Sequence, residues 1–349
     1  MENKNQHARG RGAGNNPPNR FERLFYEHEH DHEPDSPDTV LLKDTSRTII
    51  AYNDSPDVGF DASINPYRGC EHGCVYCYAR PTHEYLGFSA GLDFETKIMV
   101  KENAPELLRE QLTARKWQPQ VLAISGVTDP YQPSERHLKL TRKCLEVLRE
   151  FRNPVGIVTK NHLVTRDIDI LSELARHKAA AVFVSITTLD PDLARRMEPR
   201  ASTPELRLDA IGMLARAGVP AGVMVAPIVP GLTDHEMPSI IAAAVNCGAQ
   251  YAGHVVLRLP YAVKHLFEDW LERNYPDKKH KVLNRIRALR GGKLNDPQFS
   301  SRMRGEGIFA EQIQKLFRAA CKKHGILGRR PDLSTDSFRR PRERQLGLF

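Results

Sequence analysis

Asn65-Pro-Tyr-Arg-Gly-Cys-Glu-His-Gly-Cys-Val-Tyr-Cys-Tyr-Ala-Arg80 places Cys70, Cys74 and Cys77 within eight residues, with Tyr76 directly before the last thiol. Three thiols are one short of the set that closes a structural metal site or saturates a four-iron cluster. A cubane cluster held by three thiolates keeps one iron free of protein, and that iron can bind and activate a small molecule. The alternative is a zinc knuckle completed by His72 or His83, with Glu71-His72-Gly73 as a short loop suited to either metal. Zinc sites usually pair two closely spaced cysteines with a distant second pair, and this sequence has no such pair, which favours the cluster.

Working outward, short apolar runs alternate with helical patterns from about residue 61. Strands are predicted at Ala62 to Pro66, Val121 to Ser125, Val155 to Thr159, Ala181 to Ile186, Ala221 to Ala226 and Ala252 to Leu257, with a further short run at Lys97 to Val100. Helices are predicted at Asn103 to Trp117, Pro133 to Phe151, Val164 to His177, Thr203 to Ala217 and Asp234 to Cys247. Asn103 can cap the first of these, with Glu106 at the capping-box position, and Gly218 and Gly248 supply ending signals. Repeated βα units with near-continuous apolar strands define an α/β fold, a parallel sheet covered by helices. Six units suit a partial barrel or a doubly wound sheet, and in both the carboxyl ends of the strands gather ligands.

Residues 1–45 are poor in apolar side chains and rich in Gly, Asn, Pro and charge, which predicts a disordered tail. Within it, Glu27-His-Glu-His-Asp-His-Glu33 reads as a solvated polar tract rather than a metal site, since nothing nearby fixes a geometry. Residues 46–262 hold the core barrel with its preceding segment. Residues 263–325 become helical and basic. They close with an amphipathic helix from about Phe309 to Lys323 that carries Phe309, Ile313, Leu316 and Phe317 on one face. Residues 326–349 read as a flexible arginine-rich tail.

The C-x3-C-x2-C spacing with an aromatic before the third cysteine resembles the signature of the radical S-adenosylmethionine (SAM) superfamily. Over about residues 61 to 260 the chain resembles its spore photoproduct lyase-like branch. The resemblance implies a partial (β/α)6 radical SAM barrel with a C-terminal helical extension and disordered tails. It implies a [4Fe-4S] cluster on Cys70, Cys74 and Cys77, with S-adenosyl-L-methionine bound through its amine and carboxylate at the open iron. An electron from a low-potential donor such as flavodoxin or ferredoxin would break the sulfonium to give a 5'-deoxyadenosyl radical, with Tyr76 near the adenine.

Strand two ends in Ser125-Gly-Val-Thr-Asp129, where Gly126 permits close backbone approach and Thr128 and Asp129 offer hydrogen bonds. The family usually carries a glycine-rich segment there, against the ligand's amino group. Strand three ends in Thr159-Lys160 and strand four in Ser185-Ile-Thr-Thr188. Lyase relatives carry a lysine and a serine at comparable places, which makes Lys160 and Ser185 candidates for the ligand. Arg200 and Arg207 are further anion candidates, with salt bridging as the simpler reading. The lyase's hydrogen-returning cysteine has no counterpart in Ser125-Gly126-Val127-Thr128, which argues against thymine-dimer repair by that route and leaves Tyr131 as a candidate hydrogen donor.

At the other end, Gln345-Leu-Gly-Leu-Phe349 resembles the peptide by which bacterial polymerases and repair proteins dock on the β sliding clamp. Leu346, Leu348 and Phe349 would fill an apolar cleft while Gln345 makes hydrogen bonds at its rim. The chain holds 51 basic against 43 acidic residues, formally +8, which permits nucleic acid as a partner. Six cysteines without an apolar leader point to a reducing cytoplasm, and Cys144, Cys247 and Cys321 read as small buried hydrophobes. No run of about 18 apolar residues predicts a membrane span. Two functions are expected from different classes: a cytoplasmic radical SAM enzyme acting on DNA in repair or modification, or a non-catalytic metal-bearing module recruited to DNA by the clamp.

Overall fold

The computed structural model describes residues 8, 10–22, 37–326 and 331–341. Its strands are β1 Val40–Lys43, β2 Ile50–Tyr52, β3 Ala62–Ile64, β4 Tyr67–Arg68, β5 Lys97–Val100, β6 Leu122–Ile124, β7 Val155–Thr159, β8 Ala180–Ser185, β9 Ala221–Ile228 and β10 Tyr251–Val256. One sheet has the order β10-β9-β8-β7-β6-β3-β2, parallel from β10 to β3, with β2 antiparallel at the edge. Strand order follows chain order without reversal, which is a partial (β/α)6 barrel and excludes the doubly wound alternative, whose order turns back on itself. The predicted run at Lys97 to Val100 forms β5, the centre of a small separate sheet with β1 and β4.

The strands read as apolar runs because both faces are covered. Ile124, Ile157, Val182, Val184, Val223 and Val225 are buried together with Leu145, Leu148, Leu171, Leu174, Ile211, Leu214 and Ile240 of the crossover helices Leu140–Phe151, Ile168–Arg176, Pro204–Arg216 and Met237–Asn246. A second core lies against the cysteine loop. There Phe267, Trp270 and Leu271 of helix Val263–Asn274 and Val282, Leu283 and Ile286 of helix Pro276–Leu289 bury with Cys74, Val75 and Tyr76. In the last helix, Gly307–Lys323, only part of the expected face docks: Ile313 and Phe317 are buried, whereas Phe309 and Leu316 stay exposed.

Two expectations about the tails need correction. Residues 10–22 are packed rather than disordered, because their backbone and polar groups find buried partners. The amides of Gly12 and Ala13 donate to the Glu95 carboxylate at 2.9 and 2.8 Å, and Arg11 reaches the Glu95 carbonyl at 2.9 Å. Asn19 donates to the Glu84 and Phe88 carbonyls and Arg20 pairs with Glu84 at 2.7 Å. β1 also falls inside the predicted tail. At the other end, residues 331–341 lie against the amino-terminal side of the barrel. Arg340 donates to the Ala114 and Trp117 carbonyls, Arg339 to those of Phe151 and Glu150, and Phe338 packs beside Phe151. Arginines there satisfy carbonyls left open near helix ends, which turns a supposed tether into a strap. The tract 27–33 and the terminal Gln345-to-Phe349 peptide lie outside the described residues. Among the described residues no helix is long and apolar enough to cross a membrane.

Candidate active site

The cysteine loop follows β3 and β4 at the carboxyl end of the parallel sheet. Its shape is fixed by backbone bonds: Cys70 N to Phe94 O at 2.9 Å, Cys77 N to Cys74 O at 3.1 Å and Arg80 N to Cys77 O at 3.3 Å. Gly73 turns the loop at φ +66, in the left-handed region that glycine tolerates best. All three thiols are free, and burial pushes each pKa up, aided at Cys70 by Asp129 and the two other thiols. Three bare thiolates are therefore unfavourable in this pocket, and the positive charge of bound iron would offset that cost.

His72 is spent elsewhere: its Nδ1 lies 3.4 Å from Asp129 Oδ2 and its Nε2 3.1 Å from Asn161 Nδ2. His83 directs Nε2 to the Lys97 carbonyl at 3.0 Å, with its ring beside Phe88 and Phe94. Among the described residues no three His, Cys, Asp or Glu side chains converge on a single ion. The donor set fits a cluster better than a zinc knuckle.

Asp129 joins three elements. Its Oδ1 accepts from Thr159 Oγ1 at 2.7 Å and from Tyr131 N at 2.9 Å, while Oδ2 accepts from Lys160 N at 2.7 Å. Thr128 Oγ1 donates to the Tyr67 carbonyl at 3.1 Å. These oxygens shape the strand ends and place Thr128 and Asp129 beside the mouth. Gly126 stands at the rim. Its amide donates to Asn65 Oδ1 at 3.2 Å and its carbonyl accepts the Tyr78 hydroxyl at 2.9 Å. The preceding Ser125 is held at φ +126, a strained conformation of the kind that collects at functional sites.

Lys160 sits in the mouth, its Nζ donating to Ser185 Oγ at 2.8 Å, to Ala226 O at 3.0 Å and to Thr187 Oγ1 at 3.4 Å. Glu198 Oε1 is 3.3 Å away. Ser185 in turn donates to Ala226 O at 2.9 Å. Glu198 also pairs with the buried Arg207 and accepts from Thr187 at 2.7 Å and from Tyr76. Burial opposes its charge, but Arg207 and Lys160 prevail and hold the carboxyl well below its usual range. Tyr76 is therefore tied by its hydroxyl into this network, and the tyrosine exposed at the rim is Tyr78. Arg200 lies 3.6 Å from Glu71, so salt bridging accounts for both arginines. Tyr131 is fully buried in the core, with Arg166 5.9 Å over its ring, and the expectation that it returns hydrogen to a substrate is corrected.

Sequence reading missed Glu198, Asn65, Tyr78, Asn161 and Glu95. Glu198 had a faint signal in its place between Met197 and Pro199, shortly before Arg207. The others offered none, since each acts through a partner remote in the chain.

An open six-stranded parallel barrel with three free thiols in the loop after its first strand is the architecture of an enzyme that binds its cofactors at the strand ends. The pattern described as Radical SAM superfamily matches residues 64–244, and the chain belongs to that superfamily. Its cofactors are a [4Fe-4S] cluster and S-adenosylmethionine. An uncharacterized protein of Mycobacterium tuberculosis is 37% identical over 251 residues, covering 70% of this chain and 72% of that one. The radical SAM Nalpha-GlyT isomerase of Pseudomonas phage M6 is 27% identical over 173 residues, 49% of this chain and 34% of the phage protein. In fold the chain is similar to spore photoproduct lyase complexed with dinucleoside spore photoproduct, with TM-score 0.59 and 18% identity over 81% of this chain and 79% of the lyase.

Proposed function

We propose that this protein is a radical SAM enzyme that acts on DNA, in repair or modification, within a reducing cytoplasm. The observation that carries the reading is the placement of three free thiols, two buried and Cys77 partly so, at the same barrel mouth as the Lys160, Ser185, Thr187 and Glu198 cluster. When bound, the cluster and S-adenosylmethionine supply reductive cleavage of the sulfonium to a 5'-deoxyadenosyl radical. Cys70, Cys74 and Cys77 hold the cluster. Tyr76 anchors their loop to the end of β8 through Glu198 and Thr187, and Asp129 anchors it to β7 through His72. Lys160, 15% exposed and only loosely held by Thr187 at 3.4 Å, would receive the ligand carboxylate. Gly126, with no side chain, lets the ligand approach the β6 end.

DNA as substrate is supported by the formal charge of +8 and by the name of a protein of similar fold, a lyase complexed with a dinucleoside spore photoproduct. The terminal Gln345, Leu346, Leu348 and Phe349 would dock on a sliding clamp. Residues 331–341 are strapped to the barrel face opposite the mouth, which is consistent with a partner docking on that side. Reconstituted protein incubated with irradiated and intact DNA should yield 5'-deoxyadenosine together with altered nucleosides. Nucleosides left unchanged in both, with 5'-deoxyadenosine formed, would reject DNA as substrate.

A further inference from the structure

The half-barrel is open between β10 and the β2–β3 edge, and the loop Ser55 to Asp57 bridges that seam to residues 300–302. Ser300 N donates to Asp57 Oδ1 at 2.6 Å, and Arg302 pairs with Asp57 and Ser55. Arg290 uses both terminal nitrogens, donating to the carbonyls of Ser301 at 2.7 Å and Leu257 at 2.8 Å, and leaves only its buried Nε unpartnered. Arg258, two residues past β10, differs. Its Nε is likewise buried without a partner, but among the described residues its terminal nitrogens find no oxygen acceptor either, Nη1 facing only the Met303 sulfur, a weak acceptor, at 3.5 Å. No carboxylate pairs with it among the described residues. Its guanidinium lies 5.4 Å from the ring of Tyr78, the residue after Cys77, whose hydroxyl reaches the β6 end. Arg258 thus stands between the cysteine loop and the seam. A partly buried guanidinium without an oxygen acceptor is costly until an anion supplies one.

We propose that Arg258 binds a backbone phosphate of a nucleic-acid strand that enters the mouth through this seam, while Tyr78 and Phe299 offer ring faces to its bases. Both rings are about half exposed, and each lies beside an arginine, Arg302 standing 4.4 Å from Phe299. One guanidinium without an oxygen acceptor beside exposed aromatic groups matches a strand of phosphates and bases, and matches an acidic peptide poorly, because the rings would then have nothing to stack on. The inference rests on DNA as the substrate and names the residue that meets its backbone.

Fluorescence anisotropy with a labelled single-stranded oligonucleotide, on anaerobically reconstituted protein over a salt series, tests it. Arg258→Gln should weaken binding about tenfold and lower the salt slope by about one, as for one lost phosphate contact. Arg258→Lys keeps the charge and packing and should retain most of the slope while losing part of the affinity. Equal affinity and slope in native and Arg258→Gln proteins would overturn the inference and leave the DNA reading standing. So would weaker binding with an unchanged slope, the mark of a structural role. Native protein that binds no oligonucleotide but captures an acidic peptide would overturn both.

Discussion

Glu198 carries more of the mouth than any residue named from sequence. A carboxylate 2% exposed is held charged by Arg207, itself 1% exposed, and shares its oxygens with Lys160, Thr187 and Tyr76. Removing one partner of such a pair strands the other, a loss of about 3–5 kcal/mol. Glu198→Gln should therefore lower the unfolding free energy by about that amount in urea titration, whereas an unchanged midpoint would deny the pair its structural weight. Lys160 is proposed to meet the ligand carboxylate and should behave differently: Lys160→Met should weaken S-adenosylmethionine binding roughly 10–100-fold by equilibrium dialysis, the worth of a hydrogen bond to a charged group. Full affinity in that variant would remove Lys160 from the ligand site. Tyr76, Lys160 and Ser185 could be named from the sequence, but the bonds that join them to Glu198 could not, because these residues are far apart in the chain and meet only once β8 and the cysteine loop are in place.

At the scale of elements, the strands could be read directly, since six short apolar runs became six parallel strands within a few residues of their expected ends. The strap at 10–22 could not. Glycine, arginine and asparagine make the same composition whether solvated or docked, and what distinguishes this stretch is Glu95, over eighty positions away. Gly12 tests the docking: a Cβ there would stand 1.7 Å from the Gly73 carbonyl, inside the cysteine loop. Gly12→Ala should displace the strap and make the reconstituted cluster bleach several-fold faster in air, measured by visible absorbance, and native-like bleaching would deny the strap a role at the cluster. The last helix gives a pH signature. On β10, His254 lies 4.3 Å from Phe317, and burial first, Arg304 second, push its pKa down to about 4. Between roughly pH 6.5 and 4 the unfolded chain binds a proton there that the folded chain does not, so stability falls as pH drops through that window and is flat above it. The loss of Tm between about pH 7.5 and 5 should be a few degrees smaller in His254→Gln than in the native protein, and equal losses would contradict the assignment.

For the whole molecule, the sequence left barrel and doubly wound sheet open, and only strand order decided between them. The same order explains the site. An unclosed barrel exposes a mouth with one seam, the cysteine loop lies at the end of its first strand, and the C-terminal helices cover one side by burying Trp270 and Phe267 against that loop. Burial that discourages bare thiolates makes the pocket suited to iron, and everything else proposed depends on that fit. The most direct test is anaerobic reconstitution followed by incubation with dithionite and S-adenosylmethionine, with 5'-deoxyadenosine measured by liquid chromatography. Native protein should bind iron and sulfide and form 5'-deoxyadenosine, and Cys77→Ala should form none; equal yields from the two, or none from the loaded native protein, would contradict the account.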